Sequence, residues 1–352
     1  MTDWSKILQQ LSQTNGIAGR EEPVIEMIKP IIHPWVDEMK MNKLGSLIAI
    51  KKGFGNSHPK LMISTHIDEI GFIVSSLTKE GFVCIEPRGG IDLKILPGQM
   101  MQIHTLNEVI PAVVSTVPPH LLKEDERDMV LPYEKIILDP GLSVADAFAK
   151  IHTGDTILFA SSFSSLSSQR YSGKAFDNRV SALTSMRLLE ALQRIHHLWD
   201  IVCVFSSQEE VGARGARTAA YEIEPSAAIA IDVTLGDQPE VQEQSSYPLG
   251  LAIPVGIGPN FSKKLVKLIQ SAASEEQIAT VYEPIPYPRG TDAATIQTTA
   301  EGIPTALISI PLRYMHTPIE VVDEKDIQNT CRLLIAIINK LDSEHQEGFQ
   351  CF

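Results

Sequence analysis

Apolar residues recur along this chain at two kinds of spacing, and these spacings predict where helices and strands lie. Residues 4–11 and 21–32 carry apolar side chains at helical spacing near the start. After residue 164, short apolar runs and helical segments alternate regularly, which predicts a largely parallel sheet with helices on both faces. The predicted helices are 4–11, 21–32, 143–150, 179–195, 213–221, 261–273, one from residue 292 and 326–341, and the predicted sheet strands are 47–50, 61–63, 201–205, 227–231, one near residue 280 and 305–310.

Residues 70–162 have a different pattern, in which strand-length apolar pieces are separated by glycine and proline. Short strands with frequent turn residues predict a small all-β barrel or sandwich. The serine-rich residues 161–168 are predicted to be a connection out of it. The predicted fold class is therefore α/β, a three-layer domain made of residues 1–68 and 164–352, with a small β-barrel domain inserted at residues 69–163. The predicted barrel strands are 71–74, 81–85, 99–103 and 112–114.

Composition and charge exclude several classes of protein. The formal net charge of −13 argues against nucleic acid or an anionic membrane as the main partner, because both repel an acidic surface. No apolar run approaches the roughly 20 residues that span a bilayer, and the first residues do not resemble a secretion signal, so we expect a cytoplasmic protein. The cysteines form no Cys-x-x-Cys pair, so neither a zinc ribbon nor a disulfide framework is indicated.

Polar residues follow the predicted strands of the sheet, at the edge where ligands bind in open α/β folds. Glu209 and Glu210 are the most informative, because two adjacent carboxylates after a buried strand are costly unless they are paired or bind a cation. Each polar residue alone has an ordinary structural explanation, such as a helix cap, a turn or a core hydrogen bond. Together they predict one site, whose members are His66, Asp68, Asp177, Glu209, Glu210, Asp232 and His316.

Two histidines and several carboxylates form a ligand set that suits zinc, cobalt or manganese, and the absence of clustered cysteine speaks against a structural thiolate site. A catalytic pair of divalent ions is therefore favoured over a structural ion. His66 and Asp68 point to one side of an extended segment, so the Asp68 carboxylate is predicted to accept the second ring N–H of His66.

Six motifs contain or flank these residues, and they occur in the order Thr65-His66-Ile67-Asp68-Glu69-Ile70-Gly71-Phe72, Ala175-Phe176-Asp177-Asn178-Arg179, Gln208-Glu209-Glu210-Val211-Gly212, Ile231-Asp232-Val233-Thr234, Pro288-Arg289-Gly290-Thr291-Asp292-Ala293 and Arg313-Tyr314-Met315-His316-Thr317-Pro318. In this order they resemble the motifs of the M42 family of metallo-aminopeptidases, which includes glutamyl and tetrahedral aminopeptidases. The large insertion after the first motif distinguishes this family from the M20 and M28 families.

The resemblance implies a role for each residue of the site. Asp177 would bridge two divalent metal ions in each subunit, one also bound by His66 and Asp232 and the other by Glu210 and His316. Glu209 would be the general base, with Asp68 beside it in the catalytic machinery. The resemblance further implies a cis peptide bond after Asp177 and a PDZ-like inserted barrel that mediates assembly into dimers and, in many members, a hollow dodecamer.

The implied activity is removal of N-terminal residues from peptide substrates by metal-assisted hydrolysis. Lys174, Arg179, Arg289 and Arg313 flank the motifs, and they would either attract an acidic N-terminal residue of the substrate or pair with local carboxylates. Two alternatives remain open. One is an endoglucanase-type glycoside hydrolase, which uses two carboxylates and no metal. The other is a non-catalytic peptide-binding assembly with a vestigial metal site.

Overall fold

The structure, a computed structural model, describes residues 2–55, 59–121, 130–241, 246–288 and 290–344. The helices are α1 Trp4–Gln13, α2 Glu22–Ile32, α3 Val144–Lys150, α4 Phe176–Leu192, α5 Arg214–Ile223, α6 Lys263–Glu275, α7 Asp292–Gln297 and α8 Glu324–Glu344. The strands are β1 Glu38–Met41, β2 Leu47–Lys51, β3 Lys60–His66, β4 Gly71–Leu77, β5 Val83–Arg88, β6 Met100–His104, β7 Val109–Val114, β8 Ile137–Asp139, β9 Thr156–Phe159, β10 Ser164–Ser165, β11 Arg170–Gly173, β12 Asp200–Ser206, β13 Ala227–Leu235, β14 Ile253–Ile257, β15 Thr280–Pro284, β16 Thr305–Leu312 and β17 Glu320–Asp323.

The main sheet has eight strands in the order β1-β2-β12-β3-β13-β16-β14-β15. Its four central strands, from β12 to β16, run parallel to one another. The remaining neighbours pair antiparallel, except that β14 and β15 are parallel. The carboxyl ends of the four central strands therefore share one edge of the sheet, where polar side chains that follow them can meet.

Helices cover both faces of this sheet, as the alternation along β12 illustrates. Ile201, Cys203 and Phe205 belong to the core that includes side chains of α1, α2, α4, α6 and α8. Val202 and Val204 point to the opposite face and pack with the small residues of α5 and with α7. A strand buried on both faces reads as a continuous apolar run, which is why the sequence pattern predicts it well.

The strands between Gly71 and Phe159 form a closed antiparallel barrel in the order β4-β5-β8-β7-β6-β9. Alternate side chains, among them Phe72, Met101 and Leu138, fill its interior. The predicted fold class, an α/β sheet with helices on both faces and a small β-barrel, is confirmed. The domain boundaries at residues 69 and 163 stay a prediction.

The serine-rich segment is more than the predicted connection. Its residues 164–165 form β10, which pairs with β11, and β11 pairs with β17 in a separate three-stranded sheet. This small sheet brings β17 close to the start of α4, which matters for the site. Among the residues that the structure describes, no helix is long and apolar enough to cross a membrane.

Candidate metal centre

The ends of the four central strands bring the predicted site residues together. In spatial order, Glu209 and Glu210 follow β12, His66 ends β3, Asp232 lies in β13, and His316 follows β16. Most of these side chains are buried: His66 is 2% exposed, Asp232 5% and Glu209 8%. The site predicted from the sequence is therefore one cluster of side chains at one edge of the sheet.

Asp177 lies at the middle of this cluster. Its Oδ1 is 3.1 Å from Nε2 of His66, and its Oδ2 is 3.2 Å from Nε2 of His316. The peptide bond between Asp177 and Asn178 is cis, as the resemblance implies. One carboxylate thus presents a different oxygen to each of the two imidazoles.

The other carboxylates divide between the two histidines. Asp232 Oδ1 is 3.7 Å from Nε2 of His66, and Glu210 Oε1 is 3.5 Å from Nε2 of His316. Among the described residues, the ligand atoms of His66, Asp177 and Asp232 lie within 4.8 Å of one another, and so do those of Asp177, Glu210 and His316. The two groups share Asp177.

Both histidines keep Nε2 towards the cluster and Nδ1 next to a backbone carbonyl oxygen. His66 Nδ1 is 3.2 Å from the carbonyl oxygen of Asp68, and His316 Nδ1 is 2.7 Å from that of Gly90. A carbonyl oxygen can only accept, so it favours the proton on Nδ1 and leaves the Nε2 lone pair for a metal ion. This arrangement of the second ring nitrogen is typical of metal-binding histidines.

Burial sets the electrostatics of the cluster. It raises the pKa of Glu209 to about 10 and the pKa of Asp232 to about 7. Burial also favours the neutral form of Asp177, but hydrogen bonds from His316 and His66 outweigh it and hold the pKa of Asp177 below its usual range. Burial lowers the pKa of His316, yet its bonds to carboxylates raise that pKa to about 11. The cluster thus holds more carboxylates than its imidazoles can neutralise, and the donor set suits divalent cations.

Asp68 differs from its prediction. Its carboxylate oxygen Oδ1 is 3.6 Å from His66 Nδ1, too far for a hydrogen bond, and the backbone carbonyl oxygen of Asp68 is the nearer acceptor. The carboxylate instead accepts the backbone N–H groups of Glu209 and Glu210, at 2.9 and 3.0 Å. The Asp68 side chain thus faces the loop that follows β12, and local spacing alone does not reveal such a tertiary contact.

Glu320 is a buried acid that sequence reasoning missed. Its Oε2 accepts the backbone N–H groups of Phe176 and Asp177, at 2.7 and 3.3 Å, and its Oε1 accepts the N–H of His316 at 2.9 Å. The carboxylate therefore fixes the backbone at both ends of the contact between Asp177 and His316. A single charged residue directly before the apolar pair Val321-Val322 was the available signal.

Asp292 belongs to one of the six motifs, and the structure shows what its side chain contacts. Its Oδ2 accepts the hydroxyl groups of Ser64 at 2.7 Å and Ser206 at 2.6 Å. Ser64 lies in β3 two residues before His66, and Ser206 is the residue of β12 that pairs with His66. Asp292 thus joins the two strands whose ends carry His66 and Glu209.

The described cations that flank the motifs are paired with local carboxylates. Lys174 donates to Glu69 at 2.6 Å, and Arg179 lies 3.4 Å from the same carboxylate. Arg313 donates to Asp237 at 2.7 Å. Arg289 lies outside the described residues. For the three described cations, the alternative of local pairing is the one that the structure supports.

Comparisons with known proteins agree over nearly the whole chain. The family model described as M42 glutamyl aminopeptidase matches residues 45–333. A lysyl aminopeptidase from Pyrococcus furiosus is 34% identical over 346 residues, which cover 97% of this chain and 98% of the relative. The structure of a TET aminopeptidase from a marine sediment archaeon of the Thaumarchaeota has a TM-score of 0.91 at 30% identity, covering 97% of this chain and 98% of the other. The TET1 peptidase of Pyrococcus horikoshii, which assembles into a tetrahedron or a large octahedral shell, has a TM-score of 0.85 at 26% identity, with coverages of 96% and 99%.

Proposed function

Because this chain belongs to the M42 glutamyl aminopeptidase family, we propose that it removes N-terminal residues from peptides with the help of two divalent metal ions. The observation that carries the proposal is the position of Asp177, whose two oxygens face Nε2 of His66 and Nε2 of His316. A carboxylate that presents one oxygen to each of two ligand groups is suited to hold two ions side by side.

The ligands divide as the geometry of the side chains suggests. His66 and Asp232 would hold one ion, Glu210 and His316 would hold the other, and Asp177 would serve both. When bound, zinc, cobalt or manganese lowers the pKa of a water molecule and polarises the scissile carbonyl group. Glu320 and Asp68 hold the backbone beside the ligands through the N–H groups that they accept.

Glu209 is the residue that we assign as the general base. Its Oε2 lies 3.9 Å from His66 Nε2, close to the 3.7 Å of Asp232 Oδ1, and the resemblance to the M42 motifs, rather than this distance, assigns Glu209 as the base. It would take a proton from the attacking water and later pass that proton to the leaving amine. Burial raises the pKa of Glu209, whereas two divalent cations bound beside it would lower that pKa and favour the ionised carboxylate that accepts the proton.

The test of this assignment is Glu209→Gln, assayed on aminoacyl anilides with zinc, cobalt or manganese. Loss of a general base should lower kcat by roughly 100-fold to 10,000-fold, while the metal content stays near two ions per subunit. Glu80→Gln, on the surface turn between β4 and β5, is the matched control. A Glu209→Gln enzyme that keeps most of its activity would show that another group removes the proton.

Chelation separates the proposal from its two rivals. Removal of metal with EDTA should abolish peptide hydrolysis, and addition of zinc, cobalt or manganese should restore it. Glucan hydrolysis that survives chelation would instead support the glycoside hydrolase. Protein that binds no metal and cleaves no aminoacyl substrate would support the non-catalytic assembly.

We also propose that the chain forms a homo-oligomer, built from dimers and in the manner of the TET1 peptidase that it resembles. The barrel supports this with apolar side chains exposed on one face of the β6–β7 pair. Val109 is 52% exposed, Val113 42% and Met100 47%, and Met100 and Val113 are cross-strand partners. Contiguous exposed apolar groups are typical of protein interfaces. The preference for acidic substrates and the cytoplasmic location stay predictions.

A further inference from the structure

A cavity of about 520 Å³ lies where the barrel meets the loop that follows β12. Its charged lining residues are Arg20, Arg88 and Arg214, and its apolar ones include Ile17, Ile73 and Val211. As far as the chain is described, no carboxylate lines this cavity. Three guanidinium groups around one cavity are unexpected in a chain with a net charge of −13.

These arginines differ from the other cations near the site. Lys174, Arg179 and Arg313 each lie within 4.0 Å of a carboxylate oxygen, whereas no such ion pair is formed by the three cavity arginines within the described residues. The three side chains are exposed. Their charges are therefore available to a ligand, and a guanidinium group matches a carboxylate in a two-point hydrogen-bonded geometry.

The cavity adjoins the candidate metal centre through two segments. The loop from Gln208 to Arg214 carries Glu209 and Glu210 on one side and the cavity residues Gln208, Val211 and Arg214 on the other. Arg88 directly precedes Gly89, and a Cβ atom added at Gly89 would lie 3.2 Å from Oε2 of Glu210. The cavity residues Arg88 and Val211 are thus the chain neighbours of Gly89 and of the proposed ligand Glu210.

We infer that this cavity, which we call the arginine subsite, binds a carboxylate of the peptide substrate while the scissile bond lies at the metal centre. The inference rests on the proposed aminopeptidase function. Arg20, Arg88 and Arg214 would hold the carboxylate, and the apolar lining residues would contact the methylene groups beside it. The carboxylate has two sources in a peptide: the side chain of an acidic N-terminal residue, or the C-terminus of a short substrate.

Two substrate pairs distinguish these sources. Glutamyl p-nitroanilide and glutaminyl p-nitroanilide have no C-terminal carboxylate and differ only in the charge of the side chain. Leu-Gly-Gly and its C-terminal amide differ only in the terminal carboxylate. For each pair, the measured quantity is the ratio of kcat/KM of the charged to the uncharged substrate, at low and at high salt.

Wild-type enzyme should favour the charged member of at least one pair. The double variant Arg88→Ala/Arg214→Ala should lower the ratio of kcat/KM for that pair about tenfold or more, because hydrogen bonds between charged groups are among the stronger ones. The ratio should also fall with added salt, because the arginines are exposed. Arg217→Ala, an exposed arginine in α5 that does not line the cavity, is the matched control and should leave the ratio at the wild-type value.

The outcomes separate this inference from the proposed function. A fall in the glutamyl ratio assigns the subsite to an acidic side chain, and a fall in the tripeptide ratio assigns it to the C-terminus. Equal ratios in the double variant and in Arg217→Ala, for both pairs, would overturn the subsite while leaving the aminopeptidase intact. Failure of metal-loaded wild-type enzyme to cleave any of these four substrates or any aminoacyl anilide of the Glu209→Gln assay would overturn the aminopeptidase itself.

Discussion

Three buried acids near the candidate metal centre are not among its proposed ligands. Their carboxylates instead accept hydrogen bonds from neighbouring segments. Asp68 is 0% exposed, and Asp292 and Glu320 are each 2% exposed. Each accepts N–H or hydroxyl groups from segments that carry proposed ligands. A buried carboxylate with several fixed donors is held firmly, so it determines where the neighbouring ligand lies.

Glu320→Gln should weaken metal binding without removing a proposed ligand. The substituted amide can still accept one of the N–H groups, but its NH₂ group would face the N–H of either His316 or Asp177. Loss of such a supporting contact typically lowers metal affinity roughly 10-fold to 100-fold. Zinc affinity measured by competition with a chromogenic chelator is the readout.

The surface variant Glu80→Gln is the control for Glu320→Gln. The conservative change Glu320→Asp should recover less than full affinity, because the shorter side chain cannot reach both backbone segments. Zinc affinity of Glu320→Gln equal to wild type would mean that these hydrogen bonds do not position the ligands.

Asp326, which lies outside the candidate metal centre, should make the stability of the fold depend on pH. This residue of α8 is 1% exposed and accepts the backbone N–H of Gly250 at 2.7 Å. Burial, together with the nearby charge of Asp323, raises the pKa of Asp326 to about 7 even though the N–H of Gly250 lowers it. Because the folded state binds this proton more tightly than the unfolded state does, the contribution of Asp326 to stability is greatest near pH 4 and is lost as the pH rises through 7.

The free energy of unfolding of Asp326→Asn should therefore rise relative to that of wild type as the pH rises. The stability of the variant relative to wild type should increase by about 1–3 kcal/mol between pH 4.5 and pH 8. Denaturant unfolding of both proteins across this range measures the difference, and Glu301→Gln on the surface is the control. A difference in unfolding free energy that is constant with pH would contradict the raised pKa of Asp326 in the folded protein.

At the scale of elements, the sequence predicts best those segments that are buried on both faces. The central strands and the long helices are found because their apolar residues form continuous or periodic runs. The short strands β10, β11 and β17 carry no such run and exist through pairing with one another. Because this pairing is tertiary, a local pattern could not predict the sheet that brings Glu320 to α4.

The contact of α5 with the loop after β12 depends on a glycine. A Cβ atom at Gly215 would lie 2.3 Å from the carbonyl oxygen and 2.6 Å from the backbone nitrogen of Ser207. Gly215→Ala must therefore displace α5 or the loop that leads to Glu209. We expect a loss of about 1–3 kcal/mol in unfolding free energy together with reduced kcat.

Gly290→Ala is the matched control for the unfolding free energy of Gly215→Ala, because no described atom lies within 4 Å of a Cβ atom at Gly290. Thermal unfolding is measured on both variants, whereas kcat of Gly215→Ala is compared with wild type, because Gly290 belongs to a motif of the site. A Gly215→Ala variant with wild-type stability and kcat would show that the contact between α5 and the backbone of Ser207 does not require a glycine.

At the scale of the whole molecule, the positions of the candidate site residues could be predicted because parallel strands end at one edge. Their hydrogen-bond partners could not. Gly90 O accepts from His316 across 226 positions of the sequence, and it belongs to the turn after β5 of the barrel. The barrel therefore contributes directly to the candidate metal centre, a contact that depends on how the barrel packs against the sheet.

The same barrel exposes the apolar face of β6 and β7, which is the surface that we propose for assembly. Val113→Lys would place a charge on this face, opposite Met100, and desolvating that charge in an interface is costly. We expect wild-type protein to be an oligomer by light scattering at micromolar concentration and Val113→Lys to be a smaller species. Leu251→Lys, at a site 62% exposed outside the barrel, makes the same change of charge and should keep the wild-type mass. A monomeric wild-type protein would refute the assembly, and an unchanged mass for Val113→Lys would place its interface elsewhere.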